Sequence, residues 1–195
     1  GEHGLIDKRN AYEESMRVPL IARGGGVFQG GTTIDSVVAN IDIGPTILDL
    51  AGLKTPDYMD GRSFLGLATG QTKPADWRKV LLYEYYWEWN FPHTPTMFAI
   101  RGDRYKFIQY HGIWDTDELY DLRADPREQH NLIDDPQHQE TVKQMRNLLH
   151  QELAATGGMQ IPLGRKMGSG ANLRRADGSQ AAEFPPKVLR DVPKK

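Results

Sequence analysis

Three closely spaced β-prone runs constrain this chain more than any other feature. Lys79–Trp87, Thr96–Arg101 and Tyr105–Tyr110 are rich in aromatic and aliphatic residues, and Gly102-Asp103 reads as a hairpin turn between the last two. A fourth run, Glu118-Leu119-Tyr120-Asp121-Leu122, alternates ahead of an Asp125-Pro126 turn. Antiparallel sheet is the natural reading. Twelve of the eighteen aromatic residues, including all four tryptophans, lie between Trp77 and Trp114, so this sheet also holds most of the large side chains. The pattern then switches to helical spacing. Asp135 is placed to cap, Pro136 takes the first helical position, and Val142, Met145, Leu149 and Leu153 fall on one face before Gly157-Gly158 ends the run. One such helix suffices to cover one face of a four-stranded sheet.

The first part of the chain reads differently. Val18-Pro19-Leu20-Ile21-Ala22 looks like a short buried strand ended by Gly24-Gly25-Gly26. Asn40–Gly52 reads as a helix capped by Asn40 or Asp42, with Pro45 in its first turn. Ile43, Ile47, Leu50 and Ala51 share one face, and Gly52 closes it. A strand followed by a helix packed on it marks an α/β fold. Residues 53–76 are loop-like. Residues 157–195 hold six glycines and four prolines, with eight Lys and Arg against three Asp and Glu, a net +5. That basic tail reads as solvated and poorly ordered, with polyanion binding as the alternative. The expected division is 1–76, 77–156 and 157–195.

Composition removes several function classes. With 38% hydrophobic and 26% charged residues, and Gly and Pro numbering 20 and 12, the chain is globular and rich in turns. No apolar run approaches the roughly 20 residues of a membrane helix. A net charge of −2 gives no global attraction to nucleic acid or anionic lipid. The absence of cysteine excludes disulfides, Cys-ligated zinc and a thiol nucleophile within these residues. The opening Gly-Glu-His-Gly reads as the interior of a domain, so the chain is expected to be a fragment.

The densest polar constellation is His3, Asp7, Lys8, Arg9, Tyr12, Glu13, Glu14 and Arg17, just ahead of the expected strand. It reads either as a solvated charged face or as a ligand-binding loop at the edge of a parallel sheet. In the second case Lys8 and His3 present positive charge and donors to a tetrahedral anion. Glu13, Glu14 and Arg17 read as structural, fixing the loop by ion pairs and hydrogen bonds. Arg101 and Arg104, flanking the hairpin turn, read as exposed.

Four segments in order carry a resemblance. Gly1–Ile21, with Asp7-Lys8-Arg9-Asn10-Ala11-Tyr12-Glu13 at its centre, resembles the second signature region of type I sulfatases. Asn40–Gly52 is similar to that family's Asp-x-x-Pro-Thr-x-Leu-Asp-Leu-Ala-Gly helix, and Asp60-Gly61-Arg62-Ser63 to its Asp-Gly-Arg-Ser turn. Glu118–Leu122, Asp125-Pro126, Glu128 and Asn131-Leu132 resemble the Glu-Leu-Tyr-Asp-Leu segment of its C-terminal subdomain. The resemblance covers about residues 1–155. It implies the C-terminal end of an alkaline-phosphatase-like α/β core, followed by a small α+β subdomain with a four-stranded antiparallel sheet and one helix.

The resemblance also implies a sulfuric-ester hydrolase that uses a formylglycine nucleophile and a Ca2+ ion, acting on a sulfated small molecule or glycan. Lys8 matches the family's sulfate-contacting lysine. The Cys/Ser-x-Pro-x-Arg motif that yields formylglycine is absent from these residues, and the calcium ligands are expected mostly outside them, so no metal ligand is assigned and the fragment is expected to be inactive alone. His3 is either near the sulfate pocket or a structural histidine of its loop. His93 lies in a segment similar to a loop of glycosaminoglycan-type sulfatases in which a histidine reaches over the cleft. Trp87 and Trp89 either stack on a sugar ring or pack in the sheet. A periplasmic, extracellular or lysosome-like location follows from the family alone. Two other readings stay open: a phosphonate or phosphate ester hydrolase of the same superfamily, and a non-catalytic module that binds sulfated glycans.

Overall fold

The computed structural model describes residues 2–5, 8–88, 91, 93–112, 116–162 and 181–183. The four expected strands are present: β1 (Val80–Tyr85), β2 (Met97–Gly102), β3 (Tyr105–Tyr110) and β4 (Glu118–Asp121). They lie in sequence order in one sheet. β2–β3 and β3–β4 are antiparallel, with Arg101 opposite Lys106, Ile108 opposite Ala99 and Lys106 opposite Tyr120. Residues 1–18 and 82–195 form one compact unit, and 19–81 form another.

Strand alternation sorts the side chains of the sheet unit into two faces. Phe98, Ile100, Phe107 and Leu119 point one way and are fully buried. That face is covered by the long helix of residues Gln139–Thr156, whose Val142, Met145, Leu149 and Leu153 are buried as their spacing predicts. His150 of this helix bonds Gln109 of β3 at 2.9 Å, and the Arg146 guanidinium lies over the Phe107 ring. The ends follow the expected chemistry. Asp135 accepts the Gln137 N–H, and Gly157 takes the left-handed conformation (φ 77°) that closes the last turn.

The opposite face is covered by the N-terminal loop. Ala11 and Tyr12 pack on Met97, Ala99, Ile108 and Tyr120, with Met16, at the end of the short helix α1 (Glu13–Met16), beside them. Within that apolar contact sits a fully buried lysine. Lys106 Nζ lies 2.8 Å from Glu13, 2.7 Å from Glu128 and 2.9 Å from the Ala11 carbonyl. Glu128 in turn accepts the Glu13 N–H at 2.6 Å. Arg101, directly across the ladder from Lys106, also reaches Glu13 at 3.3 Å. Two cations facing each other on a strand pair repel, and Glu13 between them removes the conflict. Arg101 is therefore held in an ion pair rather than exposed as expected. Arg104 is half exposed and grips Asp121 at 2.7 Å.

The motif of the fourth run acquires physical content here. Asp121 accepts both the Arg104 guanidinium and the N–H groups of Arg123 and Ala124, closing the turn after β4. Asn131 accepts the Leu119 N–H, Asp125 accepts the His130 N–H, and Glu128 supplies the buried carboxylate. Glu128 is itself in the left-handed region (φ 53°), which a non-glycine residue adopts at a cost. Its contacts with Lys106 and Glu13 repay that strain.

Residues 19–81 contain α2 (Ile43–Leu50), preceded by a 3₁₀ turn at Asn40–Asp42. Asp42 does not cap α2 through its side chain. Fully buried, it pairs with Arg78 and accepts the N–H groups of Ala39 and Arg62. Gly61 passes so close to the Ile41 carbonyl that a Cβ there would collide with it, which accounts for glycine in the Asp-Gly-Arg-Ser turn. A small core of Phe64, Leu67 and Trp77 lies alongside.

Four sequence expectations need correction. Val18–Ala22 is not a buried strand: Ile21 is 90% exposed, and no strand pairs with the run among the described residues. An apolar run becomes a core strand only where neighbours exist to cover it. For the same reason Ile43, Ile47 and Leu50 of α2 are exposed, while Pro45 and Thr46 are buried on its other side. Residues 53–76 are not all loop, since Leu65–Ala68 is helical and Pro74–Asp76 forms a 3₁₀ turn. In the tail, Gln160–Pro162 pairs antiparallel with Ala181–Glu183, and Ile161 is buried. Residues 163–180 and 184–195 lie outside the described residues. No helix among the described residues is long and apolar enough to cross a membrane.

The buried ion cluster sets a stability test. Lys106→Met leaves buried Glu128 without a cation and half-buried Glu13 with Arg101 alone, an arrangement that costs about 3–5 kcal/mol. The melting temperature then falls by roughly 6–20 °C. Replacing all three together (K106M, E13Q, E128Q) recovers a large part of that loss. A single substitution costing under about 1 kcal/mol by denaturant titration contradicts the account.

Candidate functional site

The sheet unit carries an open cleft of about 500 Å³. The N-terminal loop contributes His3, Arg9, Asn10 and Tyr12; the segment between β1 and β2 contributes His93, Thr94 and Pro95; β3 and β4 contribute Tyr110, Glu118 and Tyr120. His3 and His93, singled out from sequence, thus meet in one cavity although 90 residues separate them. Lys8 lies exposed on the same loop and is not among the lining residues. Trp87 is 43% exposed and also outside the lining, its N–H held by Thr96 Oγ1 at 2.8 Å. Trp89 lies outside the described residues.

The polar floor of the cleft was not legible as a site in the sequence. The Glu118 carboxylate accepts three phenol hydroxyls: Tyr12 at 2.9 Å, Tyr110 at 2.8 Å and Tyr120 at 2.7 Å. Alternation puts Glu118 and Tyr120 on one face of β4, and the register sets Ile108 opposite Glu118, so Tyr110 stands within reach. Burial, then the Glu118 charge, pushes the Tyr12 hydroxyl up to about 12. Burial first, and then Glu118 through its charge and its hydrogen bonds, raises Tyr110 and Tyr120 as well. All three therefore remain protonated donors at neutral pH. The one available signal was a Glu two residues before a Tyr on an inward-facing strand position.

Tyr12 passes this rigidity to His3. The two rings stack in parallel at 3.8 Å with 4° between their planes. His3 Nε2 also lies 3.6 Å from Glu14, and the His3 backbone is left-handed (φ 56°). A strained backbone, a stacked ring and a nearby carboxylate together fix the imidazole at the cleft wall. On the far side of Glu13, burial raises and Lys106 lowers the carboxyl, and the cation prevails: Glu13 sits below the usual carboxylate range. Burial dominates at Glu128 and pushes it up against the pull of Lys106.

The resemblance implies calcium, so the acidic groups bear testing against that ion. His3, Glu14 and Glu128 bring one nitrogen and two carboxylates within 4.8 Å of one another. Calcium takes six to eight oxygen ligands, and Glu128 already serves Lys106 and the Glu13 N–H. This trio does not fit a calcium site. Formylglycine has no precursor here either, because cysteine is absent and no serine stands in the required motif.

Comparison with known proteins places the chain. The family model described as "N-sulphoglucosamine sulphohydrolase, C-terminal" matches residues 1–155. An N-acetylglucosamine-6-O-sulfatase of Bacteroides thetaiotaomicron is 37% identical over 153 residues, covering 77% of this chain and 27% of that protein. A "multifunctional alkaline phosphatase superfamily protein" of Trinickia caryophylli is 33% identical over 156 residues, covering 73% of this chain and 30% of its own length. A solved structure in complex with its substrate D-glucosamine-2-N,6-O-disulfate superposes with a TM-score of 0.72 at 35% identity, covering 78% of this chain and 31% of that one. A phosphonate monoester hydrolase from Silicibacter pomeroyi shares the fold at 22% identity, with a TM-score of 0.64. The chain spans less than a third of the length of these relatives.

The tyrosine cluster predicts an alkaline response. Phenols whose ionisation is raised on folding add stability that is fully present below the ordinary tyrosine value near 10 and is lost as pH climbs towards about 12. Phenolate absorbance of the folded chain should therefore lag that of the unfolded chain above pH 10, and Tyr12→Phe should remove part of the lag. Coincident titration curves with native circular dichroism contradict the cluster. From the match over residues 1–155, borne out by fold and by relatives, the chain belongs to the N-sulphoglucosamine sulphohydrolase C-terminal family of alkaline-phosphatase-like sulfatases.

Proposed function

We propose that the whole protein is a sulfuric-ester hydrolase acting on a sulfated hexosamine, and that this chain supplies the wall of the substrate cleft. The observation that carries the reading is the meeting of His3 and His93, from two separate loops, in one cleft of a sulfatase-family chain. The N-acetylglucosamine-6-O-sulfatase relative and the neighbour holding a sulfated glucosamine support the substrate class. The nucleophile and the calcium ion belong to residues outside this chain, so the chemistry assigned here is binding and orientation.

In this reading the imidazoles of His3 and His93 offer hydrogen bonds to sugar hydroxyls or sulfate oxygens from the cleft walls. Lys8, on the same loop as His3, presents the cation that balances sulfate charge, and Trp87 and Trp89 offer faces to the ring. The exposed apolar face of α2 is an interface with the rest of the α/β core. A periplasmic, extracellular or lysosome-like location is part of the same proposal and rests on the resemblance alone.

Substrate comparison tests it. In the whole protein, His93→Ala should weaken turnover of a sulfated hexosamine while leaving a small aryl sulfate nearly untouched. One lost hydrogen bond is worth about 0.5–1.5 kcal/mol, rising to about 3 if charge-assisted, so the ratio of kcat/KM values shifts about 2- to 100-fold. Equal losses on both substrates, with a lowered melting temperature, make His93 structural. Preferred turnover of a phosphonate ester by the unaltered protein supports the other hydrolase reading.

A further inference from the structure

The cleft is lined by two loops, which no strand pairing joins among the described residues, and the Arg9 side chain spans them. Arg9 lies on the N-terminal loop, six residues after His3. Its Nε lies 3.2 Å from the Glu88 carboxylate, and its guanidinium carbon sits 3.2 Å from the centre of the Phe91 ring. Both Arg9 and Glu88 are largely shielded from water, with about a quarter or less of each side chain exposed. A guanidinium is suited to this double task because its edge bonds a carboxylate while its face stacks on an aromatic ring.

The partners of Arg9 belong to the segment that carries His93. Phe91 N–H bonds the Glu88 carbonyl at 3.0 Å, and Thr94 N–H bonds the Phe91 carbonyl at 3.1 Å. Glu88, Phe91 and Thr94 are thus tied to one another through the backbone, and the fixed points of the segment on the rest of the unit include the Trp87 N–H to Thr96 bond beside β2. From the other side, the N-terminal loop is anchored by Glu13 on Lys106 and by Tyr12 on Glu118. Arg9 connects the anchored loop to the segment whose tip holds His93.

We propose that Arg9 is a positioning residue: through Glu88 and Phe91 it holds the His93 segment against the N-terminal loop, so that His3 and His93 face the same cleft. Arg9 sets affinity for the sugar rather than the chemical step. The proposal deepens the sulfatase reading and rests on it for its kinetic consequence, though its structural part stands apart.

Two measurements on one set of variants test it. Phe91→Ala leaves the cleft lining intact, since Phe91 is not among the lining residues. In the 195-residue chain it should speed hydrogen exchange of the Phe91 and Thr94 amides about fivefold or more, with the amides of Gln139–Thr156 unchanged. Arg9→Lys keeps the charge for Glu88 but loses the flat stack, so its exchange should fall between the two. In the whole protein, Phe91→Ala should raise KM for D-glucosamine-2-N,6-O-disulfate about 5- to 30-fold with kcat within twofold, and leave an aryl sulfate unaffected. Unchanged exchange overturns the proposal. Faster exchange with unchanged KM shows that the clamp does not position the site and equally overturns it. If the unaltered protein turns over no sulfated sugar, the functional reading fails, and the exchange data alone decide whether Arg9 fixes the segment.

Discussion

A single buried ammonium group determines how the sheet unit is put together. Lys106 points inward near the start of β3, beside Ile108 and Ala99, which make that face apolar. Removing a cation from water there costs several kcal/mol unless it is fully paired. Glu13, Glu128 and the Ala11 carbonyl pair it from two directions: the N-terminal loop and the turn after β4. The sheet therefore cannot bury its second face without ordering both segments. Those same segments carry the residues around the cleft, Tyr12 and His3 on one side and Asn131 on the other. A purely apolar face would bind the loop without fixing its register.

From that constraint a chain of contacts runs outward to the ligand side. Glu13 fixed on Lys106 places its neighbour Tyr12, whose hydroxyl joins Tyr110 and Tyr120 on Glu118. Tyr12 then carries the stacked His3 ring, and Arg9 on the same loop bears on the segment of His93. Each link is short and geometrically defined. Side chains held by packing and hydrogen bonds of this kind let a site keep its geometry.

Sequence made the sheet and its helix legible because their signals are local. Alternation, a hairpin turn, an Asp-Pro start and a Gly end all act within a few residues, and all four strands and the long helix follow them. His3 and His93 were legible as candidates through resemblance. What stayed hidden depends on pairing across distance. Lys106 reads as an ordinary strand lysine until Arg101 stands opposite it, and Glu118 as part of a motif until three tyrosines converge on it. Ile43, Ile47 and Val18–Ala22 misled in the reverse direction, since apolar spacing announces a buried face but not what buries it. Residues 1–18 lie next to that segment in sequence yet pack on the sheet, a placement dictated by Glu13 and Lys106.

The central claim is that Lys106 determines where His3 sits, and proton NMR of the His3 ring tests it most directly. Stacked 3.8 Å from the Tyr12 ring, the imidazole protons should be shifted upfield by the phenol ring current. In the triple variant lacking the ion cluster (K106M, E13Q, E128Q), those protons should move to their free-peptide positions while the β2–β3 amides stay protected from exchange. An unchanged upfield shift in that variant, with the ladder intact, would show that the buried ion cluster does not position the site.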